Sequence, residues 1–214
     1  MDQTPSGYYD NVRHDAIALL PERVERVLEI GCGSGATLAE LKRRGSCQWA
    51  GGVELAEGPG RVAAGRLDRF WAGSIEAFTP DVAPGSLDAL LCLDVLEHLV
   101  DPWETLARLA ALLKQGAVAV ISVPNVRNHR VLGKLLLRGR WDYEASGIMD
   151  RTHLRFFTRD SARQLVDGAD LRVDRVEPLI HLKRWKTRWM LRTLTCGALD
   201  DFNAEQFLIR GLKR

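Results

Sequence analysis

Short apolar runs alternate with stretches of helical periodicity along most of the chain, the pattern of a mainly parallel sheet wound with helices. The runs predict strands at about 26–30, 48–54, 69–72, 87–93 and 117–123, with two more at 171–177 and 204–210, and helices fill the gaps between the early strands. The class is therefore α/β. A first helix is expected over 11–20 with Asp10 as N-cap and Pro21 closing it. The clearest helix starts at Asp101, where an Asp cap, Pro102 at the first helical position and Glu104 two residues on form a capping pattern. Its apolar face runs through Leu106, Leu109 and Leu113, and Gly116 is expected to end it. A last helix is expected over 159–166, beginning at Thr158 and stopping near Gly168.

At 214 residues the chain reads as one domain over 1–214, with longer acceptor-side insertions at about 124–157 and 179–202. Apolar residues at 46% and charged residues at 27% exclude a disordered, collagenous or disulfide-dense chain. The apolar run 117–123 falls far short of the roughly 20 residues of a membrane span. The first residues show no basic stretch followed by an apolar run, so no secretory signal is expected. Cys32, Cys47, Cys92 and Cys196 form no CxxC pair, which fits a reducing, cytoplasmic setting. Net charge is only +2, but residues 127–140 and 181–192 each hold five basic side chains and no acid. What remains is 20 basic against 28 acidic residues, so the positive charge is concentrated in two segments and bears on partners rather than fold.

The stretch VLEIGCGSGATL at 27–38 runs an apolar strand into Gly31, Gly33 and Gly35 and then a helix. Such a turn lets the backbone approach a ligand closely and offers helix N-terminal N–H groups to it; on its own it is also simply a tight turn. The second strand ends in Gly51-Gly52-Val53-Glu54, which sets a carboxylate at the neighbouring strand tip, 19 residues after Gly35. Glu54 there could accept both hydroxyls of a ribose, or be a solvated strand-end charge. Glu29 precedes the glycines, and an acid beside the turn suits a ligand bearing an ammonium and repels a pyrophosphate. That favours S-adenosylmethionine over NAD, as does GxGxG in place of GxGxxG.

In these motifs the sequence resembles the class I S-adenosylmethionine-dependent methyltransferases, over nearly its whole length. VLEIGCGSG, GVEL, GSIE, LDALLCLDVLEHLVDP and ISVPN follow one another in the family's order. The resemblance implies a Rossmann-like doubly wound sheet of seven strands, mainly parallel with an antiparallel last strand. It places the methionine part of the cofactor at Glu29, Gly31, Cys32, Gly33 and Gly35, and the ribose at Glu54. The adenine edge would lie at Gly73, Ser74 and Ile75, and the floor near the sulfonium at Leu93 and Asp94. Tyr8, Tyr9 and Arg13 would close over the cofactor, or merely pack.

Methyl transfer from a sulfonium is an in-line displacement, so the protein must align an acceptor lone pair and manage one proton. Candidate bases are His98, just past the 87–93 strand, and His153 in DRTHLRFFT. Asp150 stands three residues before His153 and would orient its ring if the segment turns; otherwise His153 caps the next helix and Asp150 pairs with an arginine. Asp94, Glu97, His98 and a distant His153 also resemble the metal site of the plant small-RNA 2′-O-methyltransferases, and in part the quinone-biosynthesis O-methyltransferases. That implies a magnesium ion on the acceptor hydroxyls, although Asp94 stands where those sites have a longer glutamate.

The paired tyrosines near the start, PNVRNH, GRWDY and DRTHLRFFT resemble a bacterial subgroup associated with glycan pathways, which implies O-methylation of a sugar or related small-molecule hydroxyl. The basic segments suit an anionic acceptor. Leu182, Trp185 and Trp189 would line one face of a helix over 181–192, lying on an anionic inner-membrane surface or packing on the core. Basic residues interleaved with Trp also suit nucleic acid, but a pI near 8.4 is modest for that role. Three other readings remain beside the leading one: a cofactor-binding partner protein without catalysis, an RNA ribose methyltransferase and an NAD-dependent enzyme.

Overall fold

In the computed structural model, which describes residues 8–180 and 200–214, strand β1 (Arg26–Ile30) sits near the middle of a seven-stranded sheet of order β3-β2-β1-β4-β5-β7-β6. The others are β2 (Trp49–Glu54), β3 (Arg69–Ala72), β4 (Leu87–Leu93), β5 (Leu113–Pro124), β6 (Leu171–Leu179) and β7 (Gln206–Lys213). Strands β1 to β5 pair in parallel, and β7 runs antiparallel to both β5 and β6. The order in which the chain adds strands to the sheet reverses between β1 and β4, which pair in parallel with Ile30 opposite Cys92. A crevice at such a switch point is where open α/β sheets bind ligands.

Strand alternation splits the core in two. Leu28, Ile30, Leu90 and Cys92 face a cluster with Leu106 and Leu109 of α4 (Pro102–Ala110) and Leu165 and Val166 of α6 (Arg159–Gly168). Val27, Ala89 and Leu91 face Leu38 and Leu41 of α2 (Ala36–Arg43) on the other side. Helix α3 (Glu57–Arg66) bridges β2 and β3. The caps at Asp101 and Thr158 form as expected: Asp101 accepts from the Glu104 N–H, and Thr158 and Ser161 make a reciprocal capping box.

Three expectations are corrected. The first helix, α1, covers His14–Ile17 rather than 11–20, and Asp10 does not cap it. Asp10 lies in a 3₁₀ turn, Tyr8–Asp10, and its carboxylate accepts from Ser34 Oγ at 2.6 Å and Arg66 Nη1 at 2.6 Å. Those partners draw it away from the helix start. The α4 helix ends at Ala110, and Leu113 already pairs with Leu87 as the first residue of β5. Gly116 has φ of +78° inside β5, where the register between β4 and β5 shifts, so it accommodates an irregularity in a strand rather than ending a helix. The long connection after β5 holds a helix of its own, α5 (His129–Arg138), capped by the Asn128 side chain on the Arg130 N–H and closed by left-handed Gly139.

Candidate functional site

The glycine turn follows β1 at the switch point. Gly31 and Cys32 N–H groups donate to the Val53 carbonyl at 2.8 and 3.0 Å, which folds the turn back against β2. A Cβ on Gly33, whose φ is +55°, would lie 2.7 Å from the Tyr9 carbonyl oxygen. The absence of a side chain there admits the Tyr8–Asp10 turn, and the Ser34 N–H donates to Tyr9 O at 2.9 Å. Gly35 N–H donates to Cys32 O at 2.8 Å and leads into α2.

Glu54 ends β2 and is 8% exposed. Its Oε2 accepts from the Gly33 N–H at 2.8 Å and its Oε1 from the Ala56 N–H at 2.7 Å. One lone pair on each oxygen remains for a diol, so the protein orients this carboxylate without exhausting it. The Glu54 carbonyl also accepts from the Gly73 N–H at 3.0 Å, which brings the Gly73, Ser74 and buried Ile75 turn beside it.

Glu29 shares the β1 face of Val27, is buried, and its Oε2 has no hydrogen-bond partner. Burial raises its pKa to about 8. A buried carboxyl with an unsatisfied oxygen beside the glycine turn fits an ammonium-bearing ligand, the group at the amino-acid end of S-adenosylmethionine. The Cys32 thiol is also buried, and burial raises it further from ionisation.

Asp94 follows Leu93 with φ of +58°, strained for a non-glycine residue. Its Oδ1 accepts from Ser122 Oγ at 2.6 Å and Gln206 Nε2 at 2.9 Å, and its Oδ2 from Arg13 Nη1 at 2.7 Å. Arg13 also pairs with Asp15. Asp94, expected at the floor near the sulfonium, is the hub of a network tying the N-terminal segment, β5 and β7 together. Sequence reading missed Ser122 and Gln206 as its partners.

Immediately after β4, a 3₁₀ turn over Leu96–His98 presents Glu97 and His98. Backbone N–H groups of Leu154 and Arg155 donate to the Glu97 carbonyl at 2.8 and 3.0 Å, which draws the distant DRTHLRFFT segment in. As a result Glu97, His98 and His153 each place one ligand-capable atom within 4.8 Å of the other two. The rings of His98 and His153 meet edge-on with centroids 4.7 Å apart. Glu97 is 1% exposed and neither of its carboxylate oxygens has a partner. Burial first, and the Asp94 charge second, hold its pKa well above the ordinary range. Three of the four residues expected to hold a metal therefore converge. Asp94 does not join them, because its oxygens are engaged by Arg13, Ser122 and Gln206.

The expected pairing of Asp150 with His153 is not formed. His153 Nδ1 meets the Ile148 carbonyl at 3.0 Å, while Asp150 Oδ1 accepts from Thr152 N–H and Thr152 Oγ1 at 2.8 and 2.7 Å. Burial, which would raise the Asp150 carboxyl, is outweighed by the Thr152 donors, and it lies below its ordinary pKa. Burial also lowers the pKa of His153, which favours the neutral ring.

Between α5 and the loop that follows it lies a cavity of about 300 Å³ whose lining includes Arg130, Lys134, Trp141, Glu144, Met149 and Glu205. Most cations of this first basic segment are paired: Arg127 lies 4.0 Å from Asp201, and Arg130 pairs with Glu205, Lys134 with Glu144 and Arg140 with Asp142. The wall is charge-balanced, and the basic count alone overstated its pull on an anion. Trp141 packs edge-on to Phe156 at 5.4 Å, and Phe156 to His153 at 6.4 Å, so an aromatic string joins cavity and histidines. The second basic segment at 181–192, with its expected membrane contact, lies outside the described residues. No helix among the described residues is long and apolar enough to cross a membrane.

Comparison with known proteins agrees with the geometry. Residues 7–176 match the family described as "Methyltransferase domain". A ubiquinone biosynthesis O-methyltransferase of Xanthomonas campestris pv. campestris is 28% identical over 215 residues, covering 91% of this chain and 85% of its own. A protein of the same name from Aromatoleum aromaticum is 36% identical over 137 residues, which span 56% of each chain. The S-adenosylmethionine-dependent methyltransferase structure from Archaeoglobus fulgidus superposes with a TM-score of 0.67 over 94% of this chain and 90% of that one; at 19% identity the likeness is one of fold. From the glycine turn, the strand order and the match over 7–176, the chain belongs to the methyltransferase-domain family and is an S-adenosylmethionine-dependent methyltransferase.

Proposed function

We propose that the protein O-methylates a hydroxyl of a sugar, glycan or related small acceptor, with a divalent cation held by Glu97, His98 and His153. The observation that carries this reading is the Glu97 carboxylate, buried, unpartnered and within ligand distance of two imidazoles. An ionised carboxylate does not persist in such a place without a proton or a cation. One acid and two histidines suit a divalent ion that keeps open positions for acceptor oxygens. The names of the relatives, ubiquinone biosynthesis O-methyltransferases, support oxygen as the methylated atom.

S-adenosylmethionine supplies a methyl group on a sulfonium, displaced in line by the acceptor oxygen. A bound cation supplies Lewis acidity that lowers the pKa of a hydroxyl. The chain's own part is placement. Glu54 holds the ribose, Glu29 faces the ammonium, and the Asp94 network fixes the strand ends between cofactor and acceptor. The cavity beside Trp141 seats the acceptor body: an indole face packs on a ring, and paired Arg, Lys, Asp and Glu side chains offer hydrogen bonds to hydroxyls.

A second reading follows from His153, which is favoured neutral with Nδ1 committed to Ile148 and has Nε2 free to take a proton directly. Turnover over a panel of sugar and catechol-type diols, with and without a chelator, tests both. Loss of methylation on chelation, restored by magnesium, is the expected result. Turnover indifferent to chelation would leave the histidine reading and remove the cation. No methylation of any hydroxyl acceptor, alongside methylation of amines, would overturn the O-methyl assignment.

A further inference from the structure

Two histidines can act together as ligands only if each has a ring nitrogen whose lone pair is free. In this protein both Nδ1 atoms are already spoken for. His153 Nδ1 lies 3.0 Å from the Ile148 carbonyl oxygen. His98 Nδ1 lies 3.3 Å from the Thr152 carbonyl oxygen and 3.1 Å from Thr152 Oγ1. A carbonyl oxygen only accepts, so each Nδ1 carries the proton and each Nε2 keeps its lone pair. The Thr152 hydroxyl has its own proton directed to Asp150 Oδ1 at 2.7 Å, so toward His98 it can only accept. The chain of donors therefore runs one way, from His98 through Thr152 to Asp150.

We infer that Thr152, tethered by Asp150, is a positioning residue that sets the tautomer and orientation of the His98 ring, so that Nε2 of His98 joins Nε2 of His153 and the Glu97 carboxylate at one point. The inference rests on the proposed metal centre. Asp150, in the arrangement found, serves His98 through Thr152 rather than His153. The local fold holds the pair in place: Asp150 N–H donates to Gly147 O, Arg151 N–H to Glu144 O and Glu144 N–H to Met149 O, so the segment closes on itself. Glu144, Ile148 and Met149 of that segment also line the cavity, so acceptor seating and ring orientation depend on one loop. Outer partners of this kind fix the tautomer and raise the basicity of a ligating imidazole, and their loss costs about 10- to 100-fold in metal affinity.

The test uses the full chain, metal-free and nitrogen-15 labelled, with His98 signals assigned by their loss in His98→Gln. Long-range nitrogen–proton spectra read the tautomer, calorimetry reads Mn²⁺ affinity, and S-adenosylhomocysteine affinity reports that the cofactor half is intact. Thr152 is exposed, so Thr152→Val is not expected to disturb the core. The wild type should show His98 protonated at Nδ1. Thr152→Val keeps the 3.3 Å carbonyl contact but removes the shorter hydroxyl contact and its tether to Asp150; it should admit the Nε2-protonated form and weaken Mn²⁺ by about 10- to 100-fold, with S-adenosylhomocysteine affinity unchanged, and Thr152→Ser should restore both readouts. His98 protonated at Nε2 in the wild type, or a Thr152→Val protein unchanged in both tautomer and Mn²⁺ affinity, would overturn the inference. A wild type that binds no Mn²⁺ removes the metal centre, and the tautomer comparison then decides the positioning role by itself.

Discussion

Glu54 and Glu97 are both buried carboxylates at the ligand-binding edge of the sheet, one ending β2 and the other in the turn after β4, yet the protein treats them oppositely. Glu54 receives two backbone N–H groups, at 2.8 and 2.7 Å; Glu97 receives none on either oxygen. A fold that satisfies one acid so fully and leaves the other bare separates two tasks. The first already has its backbone partners and keeps lone pairs for neutral hydroxyls. The second is left without a partner, which under the proposed function a divalent cation beside the two imidazoles would supply. Under the proposed function, cofactor recognition is built into the backbone, and acceptor chemistry is left to side chains brought from 56 positions apart, Glu97 and His153.

The largest effect should come from breaking the unpartnered side. Glu97→Ala is expected to lower methylation at least about 100-fold, with S-adenosylhomocysteine affinity within about twofold of wild type. A matching loss of cofactor binding would mean that the two halves are not separable. Glu54→Ala should do the reverse. Losing charge-assisted hydrogen bonds of roughly 1.5 to 3 kcal/mol each weakens S-adenosylhomocysteine at least tenfold in a calorimetric titration, while Mn²⁺ affinity stays put.

A subtler prediction concerns pH. Burial raises Glu29 from its ordinary 4.5 to about 8, so the native state holds a proton that the unfolded chain releases in that interval. Its contribution to stability is therefore full below about pH 4.5 and is lost as pH rises toward 8, and the raised Glu97 adds in the same direction. The lowered His153 pulls the other way up to its ordinary 6.5, so the urea midpoint of the cofactor-free, metal-free protein should fall most clearly between about pH 6.5 and 8. Glu29→Gln should flatten that slope, and an unchanged slope would show that Glu29 is not the group responsible. The smallest effect is expected far from both acids: Thr158→Ala removes the α6 cap and should cost about 1 kcal/mol in denaturant unfolding without touching either affinity.

The parts legible in the sequence were the local ones. The glycine turn, the Glu54 strand tip and the caps at Asp101 and Thr158 are each written within a few neighbouring residues, and backbone geometry does the rest. The Asp94 hub was not legible as a hub, because its partners lie 81, 28 and 112 positions away in Arg13, Ser122 and Gln206. Asp150 misled through its spacing: three residues from His153 suggests contact, but an aspartate at a turn is more readily taken by the N–H two residues on, here Thr152. Gly116 misled in a similar way, since a left-handed glycine serves a strand irregularity as well as a helix end. Helix α5 had its signals in plain view, Asn128 before it and Gly139 after it, and the basic count drew attention away from them.

The measurement that tests the central claim most directly is a calorimetric titration of the metal-free protein with Mn²⁺ in the presence of S-adenosylhomocysteine, for the wild type and for Glu97→Gln. The account predicts one ion per chain in the wild type and no detectable binding once Glu97 has lost its charge. No binding in the wild type, or binding indifferent to Glu97→Gln, would contradict it.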